Sequence, residues 1–186
     1  MLAEARDVLA EGGLQALTMR ALAVRLGVRP NALYSHVASK TALVEELLDD
    51  VLAGVRAPAS TAADWQADLH ELMVSTHAVL LAHPDLVPLY LGRGARGPNA
   101  RRLGDVMTTL LKRGGITGPP AREALRVLVV YVIGFAAFVT QPGFEPDDDN
   151  ARREELVANF DSGLRWLLAG IEASHQRTGS GRRRCD

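Results

Sequence analysis

Residues 17–40 read LTMRALAVRLGVRPNALYSHVASK, and this stretch decides how the N-terminal part of the chain folds. Apolar residues recur at helical spacing on both sides of Gly27, and the small Ala23 allows two short helices to cross closely at a steep angle. Leu33 and Val37 anchor the second helix from behind. The pattern therefore predicts a helix-turn-helix, whose second helix enters the major groove of DNA.

The outward side chains of this second helix are small or form hydrogen bonds, as contact with base edges requires. They are Asn31, Ala32, Ser35 and His36. Tyr34, Thr18 and Lys40 are placed to reach phosphates. The alternative is that these are ordinary polar residues on the surface of a short helix, but their joint spacing favours DNA contact.

Three short motifs resemble the DNA-binding signature of the tetracycline-repressor family. They are Leu17-Thr18-Met19-Arg20, Leu26-Gly27-Val28 and Leu33-Tyr34-x-His36-Val37-x-x-Lys40. The resemblance covers about residues 2–50 and implies that Thr18 and Arg20 touch the DNA backbone or a groove edge. It also implies that Tyr34 and Lys40 hold phosphates. The residues that it implies to face bases are Arg29, Pro30, Asn31, Ala32, Ser35 and His36.

Two departures from the family pattern bear on DNA binding. The basic arm that often precedes the first helix has no counterpart here, which predicts weaker nonspecific binding or a start assigned too far downstream. Ser35 replaces the aromatic residue that frequently precedes this histidine, so the operator sequence stays open.

Charge placement matters because affinity for DNA depends on cations set against phosphates. The net charge is -1, and residues 1–54 hold five Lys/Arg against seven Asp/Glu. Arg20, Arg29 and Lys40 nevertheless lie in or beside the helix-turn-helix, whereas the acidic residues around Glu45 fall on the next helix. The separation of charge, rather than its sum, is compatible with DNA binding.

The rest of the chain also shows helical periodicity, and period-two alternation is rare, which predicts an all-α fold. Predicted helices cover residues 2–11, 18–26, 31–36, 40–54, 62–82, 99–113, 119–140 and 151–175. Thr61 and Asp64 form a capping-box pattern at the start of helix 62–82. A short turn is expected at 86–91, and the glycines at 92–98 predict a loop. We expect an N-terminal three-helix helix-turn-helix domain with its connecting helix at 1–54, a helical ligand-binding and dimerisation domain at 55–175, and a disordered basic tail at 176–186.

The helix at 125–139 is apolar on nearly all sides and needs cover on more than one face. Together with the last helix it suits a four-helix interface between two subunits, which is where the family dimerises. The expected interface residues are Leu125, Leu128, Val132, Phe160, Gly163, Leu164, Leu167 and Ile171. The alternative is that both helices are buried inside one monomer.

A pocket for a small amphipathic effector is expected among the middle helices. His70, Met73 and His77 share one face of a predicted helix. Methionine suits an adaptable pocket wall, and imidazole can orient a ligand. Further candidate lining residues are Met107, Leu110, Tyr131 and Phe135. The alternative is that the histidines are partly buried polar residues of the helix. Two histidines seven positions apart, without a carboxylate or cysteine at ligand spacing, do not predict a metal site.

Several other classes of protein are disfavoured. There is no glycine-rich phosphate loop, Gly-x-Ser-x-Gly or His-Glu-x-x-His motif, so no enzyme or cofactor is expected. The N-terminus lacks the features of a signal peptide and no uncharged apolar run reaches about 20 residues, which predicts a cytoplasmic protein without a membrane partner. Cys185, the single cysteine, permits no intrachain disulfide.

The function expected from these patterns is that of a ligand-responsive transcriptional regulator, most simply a repressor. It would bind a palindromic operator as a homodimer and leave the operator when a small amphipathic effector binds. The competing hypothesis is a helical small-molecule or partner-binding module that does not bind DNA.

Overall fold

A computed structural model describes residues 1–59, 64–141 and 150–182, and these residues form helices without a strand. The helices are α1 (Leu2–Ala16), α2 (Met19–Arg25), α3 (Pro30–Tyr34), α4 (Lys40–Leu52), α5 (Trp65–Leu81), α6 (Val87–Arg93), α7 (Pro98–Arg113), α8 (Gly118–Thr140) and α9 (Asn150–Arg182), with a 3-10 turn at Pro84–Leu86 before α6. The prediction of an all-α fold is confirmed.

Helices α1, α2 and α3 form the N-terminal part of the core, and glycine shapes a kink within α1 and the turn between α2 and α3. Gly13 interrupts α1 with φ 67°, close to the predicted helix end at residue 11. Gly27 has φ 65°. The amide of Gly27 donates to the Val24 carbonyl (3.2 Å) and the amide of Val28 to the Ala23 carbonyl (3.0 Å), which is a Schellman ending of α2. This ending turns the chain sharply into α3.

The helix α4 joins the two halves of the structure. Leu43 and Leu47 are fully buried, and α4 contacts α1 on one side and α5, α6 and α7 on the other. The Lys40 amine donates to the Leu14 carbonyl (2.6 Å), and Arg6 pairs with Asp50 (3.5 Å), so both ends of α4 are tied to α1. The helix α4 therefore links the helix-turn-helix directly to the second half of the structure.

The helix α8 is the central helix of the second half, in contact with α5, α6, α7 and α9. By length and composition it would also span a membrane, since an 18-residue window has a mean hydropathy of 1.9. Leu128, Val132 and Ala136 form its buried stripe, whereas Arg122 and Arg126 are exposed. Here α8 serves as a core helix with one apolar outer face.

The structure corrects three details of the sequence prediction. The fifth helix begins at Trp65, so the predicted start at 62 is wrong. Asp64 is its N-cap, and its carboxylate accepts hydrogen bonds from the amides of Gln66 (2.9 Å) and Ala67 (3.1 Å). Thr61 lies outside the described residues. The turn expected at 86–91 is mostly the helix α6. The helix α9 continues to Arg182 because no proline ends it earlier. Residues 176–182 are therefore helical, and the prediction of a disordered tail is wrong for them. Residues 183–186 lie outside the described part.

Candidate nucleic-acid interface and effector cavity

The start of α2 places the first predicted DNA contacts at the surface. Thr18 is the N-cap of α2, and its hydroxyl accepts the Ala21 amide at 3.0 Å. This bond leaves the hydroxyl hydrogen available to an acceptor on DNA. Arg20 follows on the exposed side, while Met19 and Leu22 turn into the core. The local sequence therefore directs one hydroxyl and one guanidinium outward at the same helix end.

The helix α3 has one buried and one exposed side. Arg29 is its N-cap and Pro30 occupies its first turn, where a missing amide hydrogen costs nothing. Leu33 and Val37, 3% and 1% exposed, hold the helix against the core. The remaining predicted contacts are exposed: Arg29, Pro30, Asn31, Ala32, Tyr34, Ser35 and His36. All seven lie on or beside one free helix surface.

Besides Thr18, two further predicted contacts form hydrogen bonds inside the protein. The Ser35 hydroxyl donates to the Ala32 carbonyl at 2.7 Å, which leaves its oxygen as an acceptor. Lys40 is half-buried, and its amine donates to the Leu14 carbonyl. An ammonium has three donors, so this bond orients the Lys40 amine without consuming its capacity to bind a phosphate.

A carboxylate–arginine pair fixes the angle between α1 and α2. Arg25 forms a bidentate pair with Glu11 and lies 3.5 Å from Glu4. The hydrogen bond from Arg25 lowers the pKa of the Glu11 carboxyl below its usual value. Arg25 therefore serves the packing of the domain, whereas Arg20 and Arg29 extend toward solvent.

An apolar cavity of about 300 Å³ lies between α4, α5, α6, α7 and α8. Its walls carry aliphatic side chains, two methionines and two hydroxyl groups, and none of its lining residues is charged. The Thr76 hydroxyl donates to the Leu72 carbonyl (2.8 Å), and the Tyr90 hydroxyl donates to the Leu48 carbonyl. Both hydroxyls thus offer only an acceptor to a ligand.

The cavity brings together Met73 and Met107 of the seven residues predicted to bind an effector. Leu110 lies in a separate open groove beside α7. His70 binds the carboxylate of Asp161 at 2.7 Å, on the side of α5 that faces α9. The other three, His77, Tyr131 and Phe135, form an aromatic cluster with Phe160, outside the cavity.

The aromatic cluster buries His77 without a hydrogen-bond partner for its Nε2 atom. Its ring stacks on Phe160 at 3.9 Å between centroids and meets the edge of Phe135 at 5.7 Å. Burial lowers the pKa of His77 from 6.5 to about 4. His77 is therefore a neutral, buried residue of the aromatic cluster.

The burial of His77 predicts a loss of stability in acid. The unfolded chain binds a proton at His77 with a pKa near 6.5, and the folded chain only with a pKa near 4. The free energy of unfolding is therefore highest above pH 6.5 as far as His77 is concerned, and it decreases as the pH falls toward 4. The full loss is about 3 kcal/mol. We expect urea denaturation to show that His77→Phe flattens the decline in the free energy of unfolding between pH 7 and 4.5, whereas His36→Phe, at an exposed position, does not. Parallel profiles for His77→Phe and the unmodified protein would contradict this.

The predicted dimer interface is divided by the structure into core and surface. Leu128, Val132, Phe160 and Leu164 are at most 3% exposed within one subunit, so they are core residues. The other four, Leu125, Gly163, Leu167 and Ile171, are partly buried. A side chain at Gly163 would overlap the Tyr131 hydroxyl, so this glycine permits close packing of α8 against α9 within the subunit.

A different face of α8 and α9 is apolar and exposed. On α8, Val127, Val130 and Phe138 are 42%, 65% and 51% exposed, and on α9 Trp166 is 76% exposed. At about 100° of rotation per residue, these α8 positions share one face of the helix, roughly 80–160° around its axis from Leu128. A Cβ at Gly134, on the same side, would meet nothing within 4 Å. We call these five residues the outer face.

Sequence reasoning missed both the outer face and most of the cavity wall. The available signal for the outer face was the stripe of Val127, Val130 and Phe138, spaced by three and eight residues. For the cavity no local signal exists, because its walls come from five helices. Among the described residues, no cluster of three or more His, Cys, Asp or Glu side chains is arranged to hold a metal ion.

Comparisons with known proteins give the family. The family model for bacterial regulatory proteins of the tetR family matches residues 1–47, and the model for the tetracyclin repressor-like C-terminal domain matches residues 57–159. The class G tetracycline repressor protein of Vibrio anguillarum is 31% identical over 195 residues, which cover 92% of this chain and 91% of that protein.

Solved structures agree over most of the chain. A TetR variant from Acinetobacter baumannii in complex with minocycline has a TM-score of 0.76 at 29% identity, covering 92% of this chain and 94% of that one. The structure of BioQ with its double-stranded DNA operator has a TM-score of 0.70 at 25% identity, covering 92% and 95%. The resemblance seen in the sequence is confirmed: the chain belongs to the TetR family of bacterial regulatory proteins.

Proposed function

We propose that the protein represses transcription as a homodimer that sets its two α3 helices into adjacent major grooves of a palindromic operator. The observation that carries this is the exposed surface of α3, backed by the buried Leu33 and Val37. The BioQ structure, which contains an operator, supports the same use of the fold. The rival hypothesis of a module without DNA binding is not favoured, because the helix-turn-helix is complete and exposed.

Roles for the ten DNA-contacting residues follow from their positions. The hydroxyl of Thr18 and the guanidinium of Arg20 suit the backbone beside the groove, as do Tyr34 and Lys40. Asn31 and His36 carry groups that read base edges in the major groove. Arg29, Pro30, Ala32 and Ser35 complete the surface. Each side chain acts twice in a symmetric dimer, so few contacts per subunit suffice.

The outer face is the proposed dimer interface. Val130 and Trp166 are the most exposed large apolar side chains on α8 and α9, and burying them between subunits releases water from apolar surface. Gly134 permits close approach of a partner helix at the centre of the α8 stripe. Two helices from each subunit then form a four-helix interface. The division of the chain into residues 1–54 for DNA binding and 55–175 for ligand and partner follows from this arrangement, and the proposed location is the cytoplasm.

The proposed effector is a small, uncharged and largely apolar molecule in the cavity. A charged ligand would lose its hydration without gaining a counter-charge, because no charged residue lines the cavity. A volume of about 300 Å³ lies at the small end of ligand pockets. Thr76 and Tyr90 offer acceptors for one or two donor groups of the ligand.

Repression is tested with a reporter gene. A duplex that the protein selects from a random pool is placed over a bacterial promoter that drives a fluorescent protein. Expression of this chain is expected to lower fluorescence at least tenfold, and the Tyr34→Ala variant to restore it. Equal fluorescence with both chains would contradict repression through α3.

The effector cavity is tested by thermal unfolding with matched probes. We expect 2-naphthol at 100 times its dissociation constant to raise the melting temperature on the order of 5–10 °C, and 2-naphthoate to have little effect. The Gly104→Leu variant places a side chain into the cavity from α7 and is expected to abolish the response. Equal shifts with the two probes, or an undiminished shift in the variant, would contradict this site.

A further inference from the structure

The helices α4 and α7 cap one another's ends through two charged side chains. Asp49 of α4 is only 5% exposed, and its carboxylate accepts the backbone amides of Asn99 (3.1 Å) and Ala100 (2.9 Å). These amides belong to the first turn of α7 and have no acceptor within that helix. The Asn99 side-chain amide adds a third hydrogen bond at 3.0 Å.

The end of α4 receives the reciprocal contact. The Arg102 guanidinium of α7 donates to the carbonyls of Leu52 (3.3 Å) and Val55 (3.4 Å). A carboxylate thus lies at the positive end of α7 and a cation at the negative end of α4, which is favourable for both helix dipoles. A Cβ at Gly97 would overlap the Asp49 carboxylate, so the glycine permits this close approach. We call these contacts the α4–α7 clasp.

The clasp and the cavity wall share residues. The Ala100 residue lines the cavity, and its amide binds Asp49. Leu52 lines the cavity, and its carbonyl binds Arg102. Tyr90 lines the cavity as well, and its hydroxyl binds the carbonyl of Leu48, next to Asp49. A molecule that spreads the cavity must therefore displace groups that hold α4.

We infer that Asp49 is the positioning residue through which occupancy of the cavity reaches the recognition helices, with Arg102 and Tyr90 as auxiliary contacts. The inference rests on the proposed effector cavity and adds its route of regulation. The other end of α4 is tied to α1 through Lys40 and Leu14, so a shift at Asp49 is passed to the helix-turn-helix. Because two half-sites must meet adjacent grooves at about 34–36 Å, a shift of a few ångströms weakens the dimer's hold on DNA.

The test is a double-mutant cycle in which Gly104→Leu stands in for a bound ligand. Operator affinity is measured by fluorescence anisotropy for the unmodified protein, Gly104→Leu, Asp49→Asn and the double variant, with a duplex selected from a random pool. We expect Gly104→Leu to weaken binding at least fivefold alone and less than twofold in the Asp49→Asn background. Asparagine keeps the size of the side chain and one acceptor, and a melting temperature for each variant verifies folding.

Asp68→Asn is the matched control. Asp68 of α5 is 4% exposed. Its carboxylate accepts a hydrogen bond from Arg113 of α7 at 2.7 Å, a contact between α5 and α7 that does not involve α4. In this background Gly104→Leu should keep its full effect on DNA affinity. A fivefold loss that persists with Asp49→Asn, or no effect of Gly104→Leu in the unmodified protein, would overturn the inference.

A second readout separates this inference from the proposed function. If neither the unmodified protein nor any variant binds a duplex, the proposal that the protein represses by binding DNA is wrong. Amide hydrogen exchange then tests the α4–α7 clasp separately. We expect Gly104→Leu to accelerate exchange at Asn99 and Ala100 at least tenfold, while the first turn of α5, capped by Asp64, is unchanged. Unchanged exchange at Asn99 and Ala100 would overturn the inference without reference to DNA.

Discussion

Replacing Val130 with glutamate is expected to make the protein monomeric and to lower its operator affinity at least 100-fold. Val130 is 65% exposed in the single subunit and is the most exposed α8 residue of the outer face. In a twofold dimer the substitution buries two unpaired carboxylates, and an uncompensated buried charge costs about 3–5 kcal/mol. Sedimentation velocity gives the mass, and fluorescence anisotropy gives the affinity for a selected duplex.

Leu91→Glu is the matched control for this substitution. Leu91 is 62% exposed on α6, away from the outer face, and the change adds the same charge to the chain. It should remain dimeric and bind the duplex almost as the unmodified protein does. A dimeric Val130→Glu variant with normal DNA affinity would show that the two subunits meet elsewhere.

Removing the contacts at Tyr34 and Arg20 is expected to have the second large effect. A hydrogen bond to a charged group contributes about 1.5–3 kcal/mol, and each contact occurs twice in the dimer, so Tyr34→Ala or Arg20→Ala should cost on the order of 10²–10⁴ in affinity. Tyr34→Phe isolates the hydroxyl. Both side chains are exposed, so the melting temperature should change little.

Salt dependence of the affinity tests whether Arg20 contacts a phosphate. Loss of one such cation from each subunit should reduce the slope of log affinity against log salt by about 2. Arg122→Ala, an exposed arginine of α8, removes the same charge far from α3 and should leave the slope unchanged. Equal slopes for Arg20→Ala and the unmodified protein would remove Arg20 from the DNA interface.

The helix-turn-helix was predictable because the information for it is local. Thr18 caps a helix three residues ahead of the amide it binds, Gly27 takes the positive φ that its turn needs, and Leu33 with Val37 form one stripe. Each of these signals lies within a few positions along the chain. The structure of the helix-turn-helix could therefore be predicted from the order of residue types alone.

The cavity and the packing of α8 depend on how distant helices meet, so local patterns in the sequence do not determine them. His77 shares a helical face with Met73 in the sequence, but its ring is covered by Phe160, which lies 83 positions further along. Leu128 and Val132 belong to the most apolar stripe of α8, and the subunit's own core takes that stripe first. The exposed outer face is the apolar surface that we propose for a partner.

We propose that two copies of this chain read a twofold-symmetric DNA site. Selection of bound duplexes from a random pool, followed by sequencing and repeated at two salt concentrations, tests this proposal. We expect an inverted repeat with half-site centres about 10 base pairs or a multiple of that apart, recovered at both concentrations. Recovery of no motif, or of an unrepeated half-site, would contradict it.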